Sequence, residues 1–354
     1  MMYRKKLFCA AILSAMLAAV CASAPHARAQ SGNSDVSTMG GSGPLPDEVT
    51  PDLQHRVKKG LDWLAKNLNS EAAMSSVGVD PTAIVGLAGI AFIADGSLPQ
   101  NGPYGREVDR ILDFILKNCQ ESGLVASPGY PSPMYGHGFA TLFLSEVYGM
   151  SPRPDLKERL QNAIRLIVQT QNNEGGWRYQ PVPQDADLSV TICQVMALRA
   201  ARNAGIKVPK RTIDRAIDYV KKLQEPDGGF AYMMNSRGSG FPRSAAGVAC
   251  LYYMGEYDAP EIKRGLKYLM QRLPGKSENS GDYHYFYGNY YATQAMFMSG
   301  GDSWAQYWPA IRKELATRQQ ADGSWNDQNG QIYATSMSLI ILQVPNRLLP
   351  ILQK

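Results

Sequence analysis

Apolar residues recur along most of this chain at helical spacing, three and four apart, in blocks separated by Gly-, Pro- and Asp-rich turns. One set of blocks carries charge on its second face, as at Lys58/Lys59 and Lys221/Lys222. An aromatic or apolar marker recurs in this set at Trp63, Phe114, Leu166, Tyr219 and Tyr268, with separations of 51, 52, 53 and 49 residues. A sixth helix of the kind is expected near 308–317. Between these blocks lies a less charged set, predicted near 82–94, 138–149, 188–203, 244–254, 290–299 and 332–343. The alternation of an amphipathic helix with a nearly uniform apolar one predicts an outer and an inner layer.

A short phrase punctuates the pattern three times. It reads Gln171-Asn-Asn-Glu-Gly-Gly-Trp177, Gln224-Glu-Pro-Asp-Gly-Gly-Phe230 and Gln319-Gln-Ala-Asp-Gly-Ser-Trp325. Each copy ends a charged helix and leads towards an apolar one, so Gln171, Trp177, Gln224, Phe230, Gln319 and Trp325 are expected to serve the repeat itself. Thr141, Thr191, Thr293 and Thr335 are expected to share one column of small residues, where inner helices crowd around an axis. Six helix hairpins with two apolar layers close naturally into a ring, because an open solenoid needs capped ends. The expectation is an all-α fold, an (α/α)6 toroid, with an open helical solenoid as the alternative.

On these phrases the chain resembles the α/α-toroid superfamily of squalene-hopene cyclases and protein prenyltransferase β subunits, where they are known as QW motifs. It is most similar to the exported bacterial prenyltransferase/squalene-oxidase-repeat proteins. Leu68 and Cys119 stand where Gln would be in the first two units. The resemblance implies a toroid over nearly all of residues 50–354, and it leaves the activity open.

The ends change the charge picture. Arg4, Lys5 and Lys6 precede an apolar run, Leu7 to Val20, and Ala27-Arg28-Ala29 supplies a small-x-small cleavage site. Residues 1–29 are expected to be a secretory signal peptide, which implies export to a periplasm or the exterior without a lasting membrane anchor. Residues 30–49, rich in Ser, Gly and Asp, are expected to be a flexible leader. Thr50-Pro51 reads as an N-cap followed by the first helical residue. The formal charge of +5 falls to +1 without residues 1–29, which removes the case for nucleic acid as a partner. Cys119, Cys193 and Cys250 are left and are expected to be buried thiols.

Candidate chemistry gathers where loops enter the inner helices, because six helix N-termini there favour an electron-rich or anionic guest. Asp185-Ala-Asp187-Leu-Ser-Val190 resembles the Asp-x-Asp-Asp-Thr-Ala motif of the squalene-hopene cyclases, in which the middle acid protonates an alkene. By that resemblance Asp187 would be the acid and Asp185 its neighbour, although Leu188 replaces the third carboxylate. By local pattern alone, Asp187 caps the helix that follows. Arg237 and Arg243 flank a Gly-rich loop and could clamp a carboxylate or phosphate. His284, Tyr285, Tyr287 and Tyr290 belong to an aromatic cluster, 282–291, suited to a partly polar ligand.

No metal site is proposed. The prenyltransferase β subunits hold zinc on an Asp-x-Cys pair plus a His. Here Lys117, Thr191 and Val248 stand two residues before the cysteines, and His55, His137 and His284 are scattered. No cofactor is expected. A thioester sequence and a Gly-x-Ser-x-Gly elbow are also missing. The leading expectation is a binding scaffold or degenerate-site toroid, its mouth holding a small molecule, glycan or protein. Two alternatives stand beside it. One is an isoprenoid cyclase or transferase using Asp187; the other is a polysaccharide lyase or hydrolase, with Asp187 paired to Asp282 or Asp327. Whether the chain is an enzyme stays open at this level.

Overall fold

The computed structural model describes residues 48–78, 80–151, 153–275 and 284–353. The signal peptide and most of the leader expected above lie outside the described residues. The described residues fall within one compact unit.

Six outer helices are α1 (Pro51–Asn67), α4 (Gly105–Lys117), α6 (Leu156–Gln169), α8 (Lys210–Lys222), α10 (Pro260–Met270) and α12 (Gly301–Arg318). Six inner helices are α3 (Pro81–Ala94), α5 (Pro133–Tyr148), α7 (Leu188–Asn203), α9 (Phe241–Tyr253), α11 (Tyr285–Ser299) and α13 (Gln331–Gln343). A short α2 (Glu71–Ser75) is an addition that the repeat does not require. Each inner helix packs on the next, α3 on α5 and onward to α13, and α13 packs back on α3. That last contact makes the inner layer a closed ring, so the toroid and not the open solenoid is the fold.

The inner helices start earlier than the apolar pattern indicates at three places. α5, α9 and α11 begin at Pro133, Phe241 and Tyr285, so segments expected as loops are first turns of helix. Pro at the first positions costs nothing there, because those N–H groups have no intrahelical partner. Thr50 caps α1 as expected, its Oγ1 accepting from the Leu53 amide at 3.3 Å.

The Gln-to-aromatic phrase is a clamp. Gln171 Nε2 donates to Gly175 O at 2.8 Å, within its own turn, and to Thr212 O at 2.9 Å, in the first turn of the next outer helix. Gln224 repeats this on Gly228 and Glu261, and Gln319 on Gly323 and Arg56. The third clamp therefore joins the last unit to the first. The next helix returns an arginine to each Gln oxygen: Arg215, Arg264 and Arg56. Gly175, Gly228 and Gly323 all have positive φ, and a Cβ on any of them would lie within 2.7 Å of a carbonyl on the following helix. Glycine is thus required twice over, by backbone conformation and by space.

The aromatic of each phrase is buried, and its amide is held by the next inner helix. Trp177 N donates to Thr191 Oγ1, Phe230 N to Ser244 Oγ, and Trp325 N to Thr335 Oγ1, at 2.9–3.1 Å. In the second unit His137 Nδ1 accepts from Val125 N at 3.0 Å. Complete burial pushes the His137 pKa down to about 4, which keeps the ring neutral and fit to accept. This corrects the threonine column. Thr191 and Thr335 stand in the first turn or so of α7 and α13 as hydrogen-bond acceptors, whereas Thr141 and Thr293 are the ninth residues of α5 and α11, a full turn deeper. Cys193 and Cys250 are buried thiols, and Cys119 is half-buried.

Candidate functional site

All six inner helices bring their N-terminal turns to one cavity of about 550 Å³. Its walls are layered by helical geometry. The third residues of α5, α11 and α13 are Tyr135, Tyr287 and Tyr333, and the third residue of α9 is Arg243. One turn further in, about 6 Å deeper at 1.5 Å per residue, the seventh residues of α3, α5 and α13 are Leu87, Phe139 and Met337. Loop residues Tyr130, Tyr232 and Asn329 complete the rim. The cavity therefore has an apolar floor and a rim of phenols with a few polar groups.

Asp80 is the only carboxylate among the described residues lining the cavity. It caps α3, with Oδ1 accepting from Thr82 Oγ1 at 2.9 Å and the Ala83 amide at 3.2 Å. Its Oδ2 makes no hydrogen bond. A Cβ on Gly136 of α5 would lie 2.7 and 2.9 Å from the two carboxylate oxygens, so glycine there makes room for the acid. Burial raises the Asp80 pKa, against the pull of Thr82 and the neighbouring amides.

Asp187 behaves differently. It is fully buried, caps α7 through the Val190 amide at 2.9 Å, and is not among the lining residues. Burial pushes its pKa up to about 6, while the Val190 amide, the nearby Tyr232 hydroxyl and Arg178 pull the other way. Arg178 pairs with Asp185 and lies 3.7 Å from Asp187 Oδ2. The Asp-x-Asp pair thus anchors Arg178 and a helix end behind the rim. Tyr232, whose hydroxyl bonds that of Tyr179, stands on the cavity side.

The other sequence candidates divide. Arg243, His284 and Tyr287 line the cavity. Arg237 does not: its side chain is 89% exposed and reaches Glu225 at 3.9 Å. Tyr285 lies outside the lining, beneath Arg318 at 4.0 Å and edge-on to Phe286. Tyr290 is core, packed on Tyr291 and Phe139. The reason is helical rotation: successive residues of α11 turn by about 100°, so a run of tyrosines cannot all face the axis. His284 has φ 124°, a strained value for a non-glycine residue, and burial lowers its pKa. Asp282 lies outside the described residues, and Asp327 is occupied by Asn329 through both its amide and its side chain.

Sequence reading passed over Asp80, Tyr135 and Tyr333. Asp80-Pro81 carries the same cap signal as Asp187-Leu188, and a Tyr three residues into an inner helix recurs, but only with correct helix starts. Among the described residues no group of three or more His, Cys, Asp or Glu is placed to hold a metal ion, and no helix is long and apolar enough to cross a membrane.

Solved structures share this architecture. A variant of the type II terpene cyclase MstE from Scytonema, in complex with geranylgeranyl dihydroxybenzoate, matches 84% of this chain and 98% of its own at 14% identity, with a TM-score of 0.59. A D-mannose isomerase matches 86% and 99% at 11% identity, with a TM-score of 0.61. The GH76 α-mannanase BT2949 of Bacteroides thetaiotaomicron matches 84% and 96% at 11% identity, with a TM-score of 0.58. Identities this low establish the fold alone. A search of curated proteins returned no match. The sequence profile of the prenyltransferase alpha-alpha toroid domain matches residues 104–281, half of the chain. With the closed inner ring and its repeated clamps, this chain belongs to the prenyltransferase alpha-alpha toroid family.

Proposed function

We propose that this protein holds an amphiphilic small molecule in the mouth cavity, apolar end inward and polar end at the rim. The layering carries the reading: Leu87, Phe139 and Met337 form a floor beneath Tyr135, Tyr287, Tyr333 and Arg243. Burying a hydrocarbon segment on such a floor is favourable, and the phenols offer broad faces with a polar tip. A terpene cyclase of the same fold takes a geranylgeranyl dihydroxybenzoate, an apolar chain on a polar ring. A glycosidase reading fits less well. It calls for two carboxylates across the bound sugar, and the described lining supplies Asp80 alone.

The test uses N-phenyl-1-naphthylamine, a neutral amphiphile whose emission rises in apolar surroundings. The expected result is saturable one-to-one binding, displaced by dodecanol and not by mannose or oligomannose. Met337→Gln, nearly isosteric but polar, should weaken it at least fivefold. Displacement by the sugars, or unchanged affinity in Met337→Gln, sinks the proposal.

Asp80 favours a second reading, in which the bound molecule is also protonated. The acid is buried, has no cationic partner among the described residues, and stands among aromatic faces. Asp80→Asn should then keep probe binding and abolish turnover, whereas Asp187→Asn should not abolish it. For location, we propose export, on the strength of the basic start, the apolar run and Ala27-Arg28-Ala29.

A further inference from the structure

Arg243 is set in a place where a cation is electrostatically unwelcome. It is the third residue of α9, within the first turn, where the peptide dipoles of the helix already place positive charge. Cations are normally found at the other end. Among the described residues no carboxylate pairs with it. Asp227, the acid of the preceding turn, is engaged by the Ser239 hydroxyl at 2.6 Å and the Gly229 amide at 3.0 Å.

The guanidinium is nevertheless held firmly. Nε donates to Phe230 O and Nη2 to Gly238 O, both at 3.0 Å. Phe230 is the aromatic of the second Gln phrase, so the repeat clamp itself fixes one of these carbonyls. Gly240, the N-cap residue, has ordinary extended backbone with φ −149°, so its conformation does not demand glycine. A Cβ there would lie 3.0 Å from Arg243 Cζ and 3.3 Å from Nη1, so the guanidinium lies close over this residue. The fork is thus folded back over the end of its own helix, with Nη1 left over, in a residue that lines the cavity.

We propose that Arg243 and the N-terminus of α9 form the head-group site for an organic carboxylate, whose hydrocarbon part lies on the floor of the cavity. This rests on the amphiphile reading above and adds the charge of the ligand. An anion at this point would relieve two unfavourable features together, the uncompensated guanidinium and the positive helix end. The count of charges selects a monoanion. Arg243 is the only Lys or Arg among the described lining residues, and His284, at the N-terminus of the neighbouring α11, lines the same cavity. A phosphate monoester of nearly two negative charges would be left half-compensated. Asp80 stands on α3, three places round the six-helix ring from α9, so the acid and the cation occupy opposite walls.

The experiment displaces N-phenyl-1-naphthylamine with dodecanoate, dodecanol and dodecyl phosphate, below their critical micelle concentrations, from wild type, Arg243→Gln and Arg243→Lys. Wild type should prefer dodecanoate over dodecanol by about tenfold or more, the usual scale of a charge-assisted pair. Arg243→Gln should bring the two within threefold and Arg243→Lys should keep part of the preference, each preference being the ratio of dodecanoate to dodecanol affinity on the same protein, so that a change in probe affinity cancels. Probe binding with equal affinity for carboxylate and alcohol overturns the carboxylate site and spares the amphiphile reading. So does a preference that survives in Arg243→Gln. Dodecyl phosphate more than tenfold tighter than dodecanoate overturns the choice of a monoanion. Failure of the probe to bind wild type overturns both.

Discussion

Replacing Trp325 by alanine tests whether the ring is truly closed. The residue is fully buried at the junction of the last unit with the first. Its Nε1 donates to Leu315 O at 2.8 Å, and a Cβ on Gly60 of α1 would come 3.1 Å from its Cζ3. Trp325→Ala removes a large buried ring and should cost about 3–5 kcal/mol. Part of that, about 1–2 kcal/mol, is the buried Leu315 carbonyl left without its donor. Trp325→Phe loses the N–H and leaves a smaller ring in the same pocket, so it should cost about 2–3 kcal/mol, less than alanine. Trp177 occupies the same place inside the ring, with Nε1 on Ile167 O at 2.7 Å. If the seam is packed like the interior, Trp177→Ala and Trp325→Ala should agree within about 1 kcal/mol, since each loses the same ring and the same kind of bond. The assay is equilibrium unfolding in urea followed by far-ultraviolet circular dichroism, with free energies extrapolated to water and the slopes compared. Unfolding free energy for Trp325→Ala indistinguishable from wild type, beside a costly Trp177→Ala, would show that the ring is open at this seam in solution.

Three further outcomes can be measured directly. Burial pushes the Glu146 pKa up to about 8 from an ordinary 4.5, so the folded protein binds this proton more tightly than the unfolded chain. Stability should therefore fall as pH rises from about 4.5 to 8, by up to about 1.4 kcal/mol per unit; Glu146→Gln should flatten that slope, and an unchanged profile would contradict it. Asp187→Asn keeps a good N-cap, so probe affinity should stay within about twofold of wild type; a tenfold loss would place Asp187 in the ligand site after all. N-terminal sequencing of protein recovered outside the cytoplasm should begin at or near Gln30, and a chain retaining Met1 there would exclude cleavage.

Much of the architecture is written in the chain because it is repetitive. The phrase Gln-x4-Gly/Ser-aromatic, the spacing near fifty residues and the alternation of charged and apolar helices each report local requirements. These are a side-chain clamp across a tight turn, a helix pair per unit, and one layer facing water. Local requirements leave local marks, so the outer and inner layers, the caps at Thr50 and Asp187, and the structural use of Trp177 and Trp325 were legible from residues alone.

What the chain could not announce depends on angles and on partners far away in sequence. Whether six hairpins close or spiral is decided by a few degrees per unit, summed until α13 meets α3. Which tyrosine faces the axis is decided by a rotation of about 100° per residue from a helix start that Pro133, Pro242 and the glycines of α5 and α11 disguise as loop. That rotation sends Tyr287 to the cavity and Tyr285 and Tyr290 into packing. Asp80 and Asp187 carry the same cap signature. The neighbour each meets, Gly136 on the adjacent α5 beside one and Arg178 behind the rim beside the other, makes only the first a wall of the cavity.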